Sequence, residues 1–177
     1  MTASNQPLVL TLTLDTEATA FFNRLRAQHF PAERNYLEAH LTLFHQLPGV
    51  EADRLTSDLT QVSARYRPLS LTVRELRLLG RGVAYRLESP LLQQLHRQLQ
   101  KQWQAHLTPQ DQQKLWPHVT VQNKVSSDEA KHLHTQLVEK FTPFEAVGTG
   151  LHLWEYHGGP WKSKQQFAFG RASSPPG

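Results

Sequence analysis

His40-Leu41-Thr42-Leu43 and His118-Val119-Thr120-Val121 share one pattern: histidine, apolar residue, threonine, apolar residue. Each sits in a short alternating run, and a β-strand sends successive side chains to opposite faces. His40 and Thr42 are therefore expected on one face, with Leu41 and Leu43 in the core. The same reasoning pairs His118 with Thr120 and buries Val119 and Val121. Each strand then presents an imidazole and a hydroxyl about 7 Å apart. One such motif is ordinary in an amphipathic strand. Two with matched identities call for a common cause, and the flanking sequence supplies one.

Outward from the motifs, the order strand–helix–strand–helix–strand occurs twice. Residues 8–14 alternate through Val9, Leu10, Leu12 and Leu14 and read as a strand. Asp15 can cap a helix with Ala18, Phe21, Phe22 and Leu25 on its apolar face. A polar loop, 31–38, leads into the first motif strand. After Pro48-Gly49 comes a helix carrying Leu55, Leu59, Val62 and Tyr66, then a strand over 69–79. The second round begins with a strand from Gly82 to Glu88. Ser89-Pro90 has the N-cap and first-turn proline pattern, opening a helix with Leu92, Leu95, Leu99 and Trp103. Residues 117–124 form the second motif strand. Ser126 and Glu129 suit a capping box for a helix bearing Ala130, Leu133, Leu137 and Phe141. Strands over 144–156 and 164–170 follow, joined by the Gly158-Gly159-Pro160 turn.

Asp15 and Ser89 lie 74 residues apart, and His40 and His118 lie 78 apart. The expected fold is α+β: a bilobal duplicated chain, with two antiparallel-rich sheets lining a central groove and helices outside. One domain is expected over residues 1–171. Its repeat halves are about 7–80 and 82–157, its closing strand is 164–170, and a flexible tail covers 172–177. A pseudo-twofold axis relating the halves would bring the two motifs face to face.

A phosphate fits between two such motifs. Threonine hydroxyls can donate to its non-bridging oxygens. One imidazole can take a proton from an attacking water or hydroxyl, while the other gives one to a leaving ribose oxygen. An unperturbed imidazole pKa of about 6.5 suits both tasks. No metal or cofactor is required. There is no cysteine, HExxH, P-loop or GxGxxG in the chain. His132 and His134 are two apart on an expected helix, and His40 and His45 are five apart on an expected strand. Neither pair should share a face.

The 177 residues carry a net charge of +4 and a pI near 9.6, which suits anionic partners such as nucleotides or RNA. The first residues, MTASNQPLVLTLTLD, lack the basic segment of a signal peptide, and no run reaches a membrane span. A cytoplasmic monomer with no membrane contact and no obligate protein partner is expected. The glutamines between Gln93 and Gln113 read as a solvated helix face and loop.

Paired motifs of this kind in a duplicated α+β chain resemble the two-histidine (2H) phosphoesterase superfamily, in particular its bacterial 2′-5′ RNA ligase-like branch. The resemblance spans about residues 7 to 170. It implies hydrolysis of 2′,3′-cyclic phosphates or related cyclic phosphodiesters, and in some members reversible 2′-5′ joining of RNA ends. It implies His40 and His118 as the acid/base pair, Thr42 and Thr120 as phosphate clamps, and RNA ends or cyclic nucleotides as ligands. Members often carry an arginine shortly after a motif, where this chain has Phe44-His45 and Gln122-Asn123-Lys124. Lys124 is expected on the face of His118, supplying a point charge in place of the arginine fork. Two other readings stay open: a module that binds RNA ends or phosphorylated ligands without turnover, and a phosphodiesterase for a non-RNA small molecule.

Further residues are candidate substrate contacts. Arg34 could hold a phosphate and Tyr36 could stack on a base, or both could sit in a solvated loop. His152, Trp154 and Tyr156 alternate along a strand and could form a stacking platform or an aromatic cluster. Trp161, Lys162 and Lys164 could form a basic lip or a plain hairpin.

Overall fold

The computed structural model describes residues 5–170, so the tail expected at 172–177 lies outside the described residues. The elements run β1 (Leu8–Leu14), α1 (Thr16–His29), β2 (Leu41–Leu47), α2 (Ala52–Arg65), β3 (Leu69–Leu78), β4 (Val83–Glu88), α3 (Pro90–Gln102), β5 (His118–Gln122), α4 (Ser127–Lys140), β6 (Phe144–Tyr156) and β7 (Trp161–Ala168).

The helices start where their capping residues place them. Asp15 Oδ2 accepts from the Ala18 N–H, and Ser89 Oγ accepts from that of Leu92. Ser126 Oγ accepts from the Glu129 N–H. Each side chain satisfies a donor that the first helical turn leaves free. The apolar faces are buried as their spacing requires: Leu55, Leu59 and Val62 on α2, and Leu92, Leu95 and Leu99 on α3. Trp103, at the end of α3, is fully buried and donates from Nε1 to Asp58 Oδ2 at 2.9 Å. Burying a side chain of this class contributes roughly 1.5–3 kcal/mol.

The strands pair antiparallel throughout, in the order β2-β1-β6-β3-β4-β5, with β7 also on β6. The α+β, antiparallel expectation holds, and the two sheets join into one hydrogen-bonded network through β6. That strand is 13 residues long. Its first residues pair with β3, and its later residues pair with β1 on one edge and β7 on the other. Gly148 sits at the handover, paired with both Leu14 and Leu69. A Cβ there would come within 2.9 Å of a Leu69 methyl, so a larger residue at the crossing would make the Leu69 and Leu12 side chains shift. The two sequence halves thus exchange their last strands: β3 pairs with β4 and β6, and β6 extends into the sheet of β1 and β2.

The closing strand begins earlier than 164, because Trp161 pairs directly with Tyr156 across a turn in which Gly158 has φ 87°. The motif strands β2 and β5 lie at opposite ends of the strand order, yet they approach each other in space. The sheet therefore curls until its two edges meet, and the motifs meet with them. Among the described residues, no helix is long and apolar enough to cross a membrane.

Candidate active site

The two motif histidines are held alike. His40 Nδ1 lies 2.8 Å from the Glu38 carbonyl oxygen, and His118 Nδ1 lies 2.7 Å from that of Trp116. A carbonyl only accepts, so each Nδ1 carries the hydrogen and each Nε2 is left for a ligand. In both cases the partner is two residues upstream, where the chain enters the motif strand.

Burial lowers the pKa of both imidazoles, against a raising effect of the carbonyl bond. His40 falls to about 4, with Arg26, His118 and His45 adding positive charge nearby. For His118 the further lowering comes from His45. His40 is closely surrounded by protein yet keeps part of its surface open to a cleft.

That cleft has a volume of about 360 Å³. Thr11, Tyr36, Trp154 and Trp161 line it with His40. The Trp161 ring lies 4.8 Å from His40, and Trp154 stacks on His152 at 3.6 Å while donating from Nε1 to Thr11 Oγ1. A smaller cavity of about 130 Å³ holds Thr42, His45, Lys114 and His118. Thr120 is half-buried and lines neither space.

His45 reaches this cavity through a β-bulge. Thr42 pairs with Thr11, but Phe44 pairs with Leu10, so Leu43 is an extra residue in β2. Leu43 and Phe44 are both buried, and alternation resumes one step out of phase. His45 returns to the side of Thr42, correcting the expectation that it and His40 point oppositely. The buried Asp111 fixes it there: its carboxylate accepts from the backbone N–H groups of His45 and Gln46 at 2.8 and 2.9 Å and lies 3.3 Å from His45 Nδ1. Burial raises the Asp111 carboxyl, but these contacts outweigh it and hold the pKa below the ordinary value. Asp111 also occupies two N–H groups of an edge strand that would otherwise be open to pairing.

The second motif repeats the bulge. Thr120 pairs with Ala84 but Gln122 with Val83, and Val121 and Gln122 are both buried. β5 ends at Gln122, and Lys124 has φ 64° and an exposed side chain. Lys124 is therefore not on the strand face of His118, because the bulge and the left-handed turn remove it. Arg34 is exposed in a short turn and lines neither space, and Tyr156 is 41% exposed at the far end of β6, outside the cleft. Tyr36 and Trp154 do line the cleft.

Arg26 was not among the sequence candidates. It is 4% exposed on α1 and donates from Nη1 to the Thr120 carbonyl oxygen at 2.8 Å and from Nε to Asn35 Oδ1 at 3.2 Å. Its position one turn after Phe22, on the buried helix face, was the available signal. Trp116 was also missed, although it stands two residues before the motif histidine; its ring lies 4.2 Å from that of His118. Among the described residues, no three His, Asp or Glu side chains gather as a metal site.

Comparison with solved structures places this architecture among known ones. A crystal structure of TT0787 of Thermus thermophilus is similar at a TM-score of 0.65 and 16% identity, covering 92% of this chain and 97% of that one. Escherichia coli LigT complexed with 3′-AMP is similar at 0.59 and 22%, covering 94% and 99%. LigT complexed with NADP+ is similar at 0.58 and 22%, with the same coverage. No curated protein sequence matches the chain. The family model described as the 2′-5′ RNA ligase superfamily matches residues 14–160, most of the 177-residue chain and both motifs, and the chain belongs to that superfamily.

Proposed function

We propose that the chain opens 2′,3′-cyclic phosphodiesters on RNA ends or nucleotides, using His40 and His118 as its acid/base pair and no metal. The observation that carries this reading is the matched anchoring of the two rings. Each Nδ1 is tied to a carbonyl two residues upstream, each Nε2 has no hydrogen-bond partner among the described residues, and the strands that bear them approach each other. One Nε2 takes the proton of the attacking water as its oxygen bonds to phosphorus. The other protonates the ribose oxygen as its bond to phosphorus breaks. Burial disfavours the charged form of both imidazoles in the free protein. A phosphodiester anion between them offsets that cost and favours one proton shared across the pair.

Thr42 supplies a hydroxyl to a non-bridging oxygen, and the aromatic cleft beside His40 takes the nucleoside. A 5′-hydroxyl in place of water would give a 2′-5′ linkage by the same proton transfers. The ligand complexes of LigT support nucleotides as the ligand class.

The test is a panel of 2′,3′-cyclic nucleotides and cyclic-phosphate RNAs, assayed with a chelator present. Turnover is expected, and His40→Ala or His118→Ala should each reduce it at least ~100-fold, the usual worth of one acid/base group. Near-normal turnover in either variant rejects the paired mechanism. Tight binding without turnover in the unaltered protein would make it a binding module instead.

A further inference from the structure

Each motif histidine has a tryptophan beside it. Trp161, from β7, walls the cleft at His40. Trp116 precedes β5 and lies against His118, yet remains 39% exposed. On its outer side is a second groove of about 450 Å³. Trp116, Pro117, Leu115 and Pro90 give it an apolar wall, and Lys114 stands at its junction with the small cavity that holds Thr42 and His118.

The polar groups of this groove differ in availability. Arg86 is committed to Glu75 and Glu88, at 2.7 Å to each. Gln93 Nε2 donates to the Leu115 carbonyl oxygen and holds the floor. Lys114 has no hydrogen bond or ion pair among the described residues, so its ammonium is available to a ligand. The groove thus offers a flat indole and one uncommitted cation at the mouth of a cavity that opens on His118. An aromatic face accepts any nucleobase, and a cation beside it accepts the phosphate to which that nucleoside is joined.

A cyclic mononucleotide would fill the His40 side and leave this groove idle. We propose that the Trp116 groove is a subsite for a second nucleoside, joined to the reacting phosphorus through its 5′-oxygen, so that the full ligand spans both histidines. The inference rests on the phosphodiester reading given above. It also gives the histidines sides. In the joining direction the 5′-oxygen bonds to phosphorus and its proton passes to His118. The P–O3′ bond breaks and O3′ takes a proton from His40, leaving a 2′-5′ linkage.

The test is equilibrium binding of two inert ligands to the full chain. One is the 2′-5′-linked dinucleotide of two 3′-deoxyadenosines, which has the proposed linkage but no 3′-hydroxyl to attack the phosphorus. The other is 3′-deoxyadenosine 2′-methylphosphate, which carries the same diester charge but no second nucleoside. The dinucleotide should bind at least about tenfold tighter, the gain expected from stacking one base. Trp116→Leu should bring the ratio to within about twofold, and Trp116→Phe, which keeps an aromatic face, should retain most of it. A ratio near one in the unaltered protein, or an unchanged ratio in Trp116→Leu, overturns the subsite. If neither ligand binds, the subsite also fails. Hydrolysis of 2′,3′-cyclic nucleotides then decides separately: if it persists, the proposed function survives without the subsite.

Discussion

Arg26 Nη1 donates to the carbonyl oxygen of Thr120 at 2.8 Å, tying the buried face of α1 to the strand that carries the second motif. Nε of the same guanidinium binds Asn35, in the loop before the first motif. One residue therefore braces both approaches to the site, and its charge also lowers the pKa of His40. A buried cation needs such partners, since desolvation otherwise opposes it.

Replacing Arg26 by methionine removes both hydrogen bonds while keeping bulk. Hydrogen bonds to charged groups are worth about 1.5–3 kcal/mol each, and methionine recovers part of that through burial. Unfolding in urea should show a loss of roughly 1–3 kcal/mol. The pKa of His40, followed by NMR, should rise as the positive neighbour disappears. Unchanged stability and an unmoved His40 titration would show that the brace is incidental.

The elements were legible because their signals are local. Asp15, Ser89 and Ser126 mark helix starts, and the spacing of Leu55, Leu59 and Val62 marks a buried face. The bulges were not legible. Leu41 to Leu47 contains consecutive apolar residues at Leu43 and Phe44, which a regular strand would place on opposite faces. Only the register against β1 shows that both point inward and that His45 turns with them. The exchange of β3 and β6 was hidden for a related reason. Strand partners are fixed by closure of the whole sheet, and no residue within β3 encodes the choice. The motif histidines stood out because the two motifs repeat the same residue identities, whereas Arg26 and Trp116 have no counterpart in the other motif's surroundings.

His45 shares the small cavity with Thr42 and His118, and Asp111 fixes its ring from behind. His45→Ala should therefore weaken turnover by roughly 10- to 100-fold, as for one lost hydrogen bond to a charged oxygen. It should also raise the pKa values of His40 and His118, both of which feel its charge. Asp111→Asn should act mainly on stability, since it weakens the cap on two edge-strand N–H groups. Kinetics and urea unfolding on the two variants separate these effects. Full activity in His45→Ala would remove His45 from the site.

His29, His40, His96, His118 and His152 all have pKa values lowered by burial. The unfolded chain therefore takes up these protons first as pH falls. The stability that comes from keeping the rings neutral is complete above about pH 6.5 and is lost as pH drops toward the folded values, about 4 for His40. His40 alone is worth on the order of 2 kcal/mol over that window, allowing for the solvent at one side of its ring. The urea midpoint should fall clearly between pH 7.5 and 5, and less so in His40→Asn. A midpoint that does not move would contradict the burial of these rings.

Catalysis by the pair should be bell-shaped in pH, displaced to the acid side, and indifferent to chelators. One imidazole must be neutral to accept a proton while the other is charged to donate one. Rate falls at low pH when the base is protonated and at high pH when the acid is lost. Both rings lie below the ordinary value in the free protein, so the maximum of kcat/KM should fall below about pH 6.5. A bound phosphodiester adds negative charge between the rings and raises both values, so the limbs of kcat should lie at higher pH than those of kcat/KM. The limbs belong to the coupled pair, and neither can be assigned to one histidine without variants. EDTA should leave the rate unchanged, because proton donor and acceptor already serve both reacting oxygens. Loss of activity to EDTA with recovery on adding a divalent ion would overturn this even if both histidines proved essential, since they would then be acting as ligands in place of acid and base.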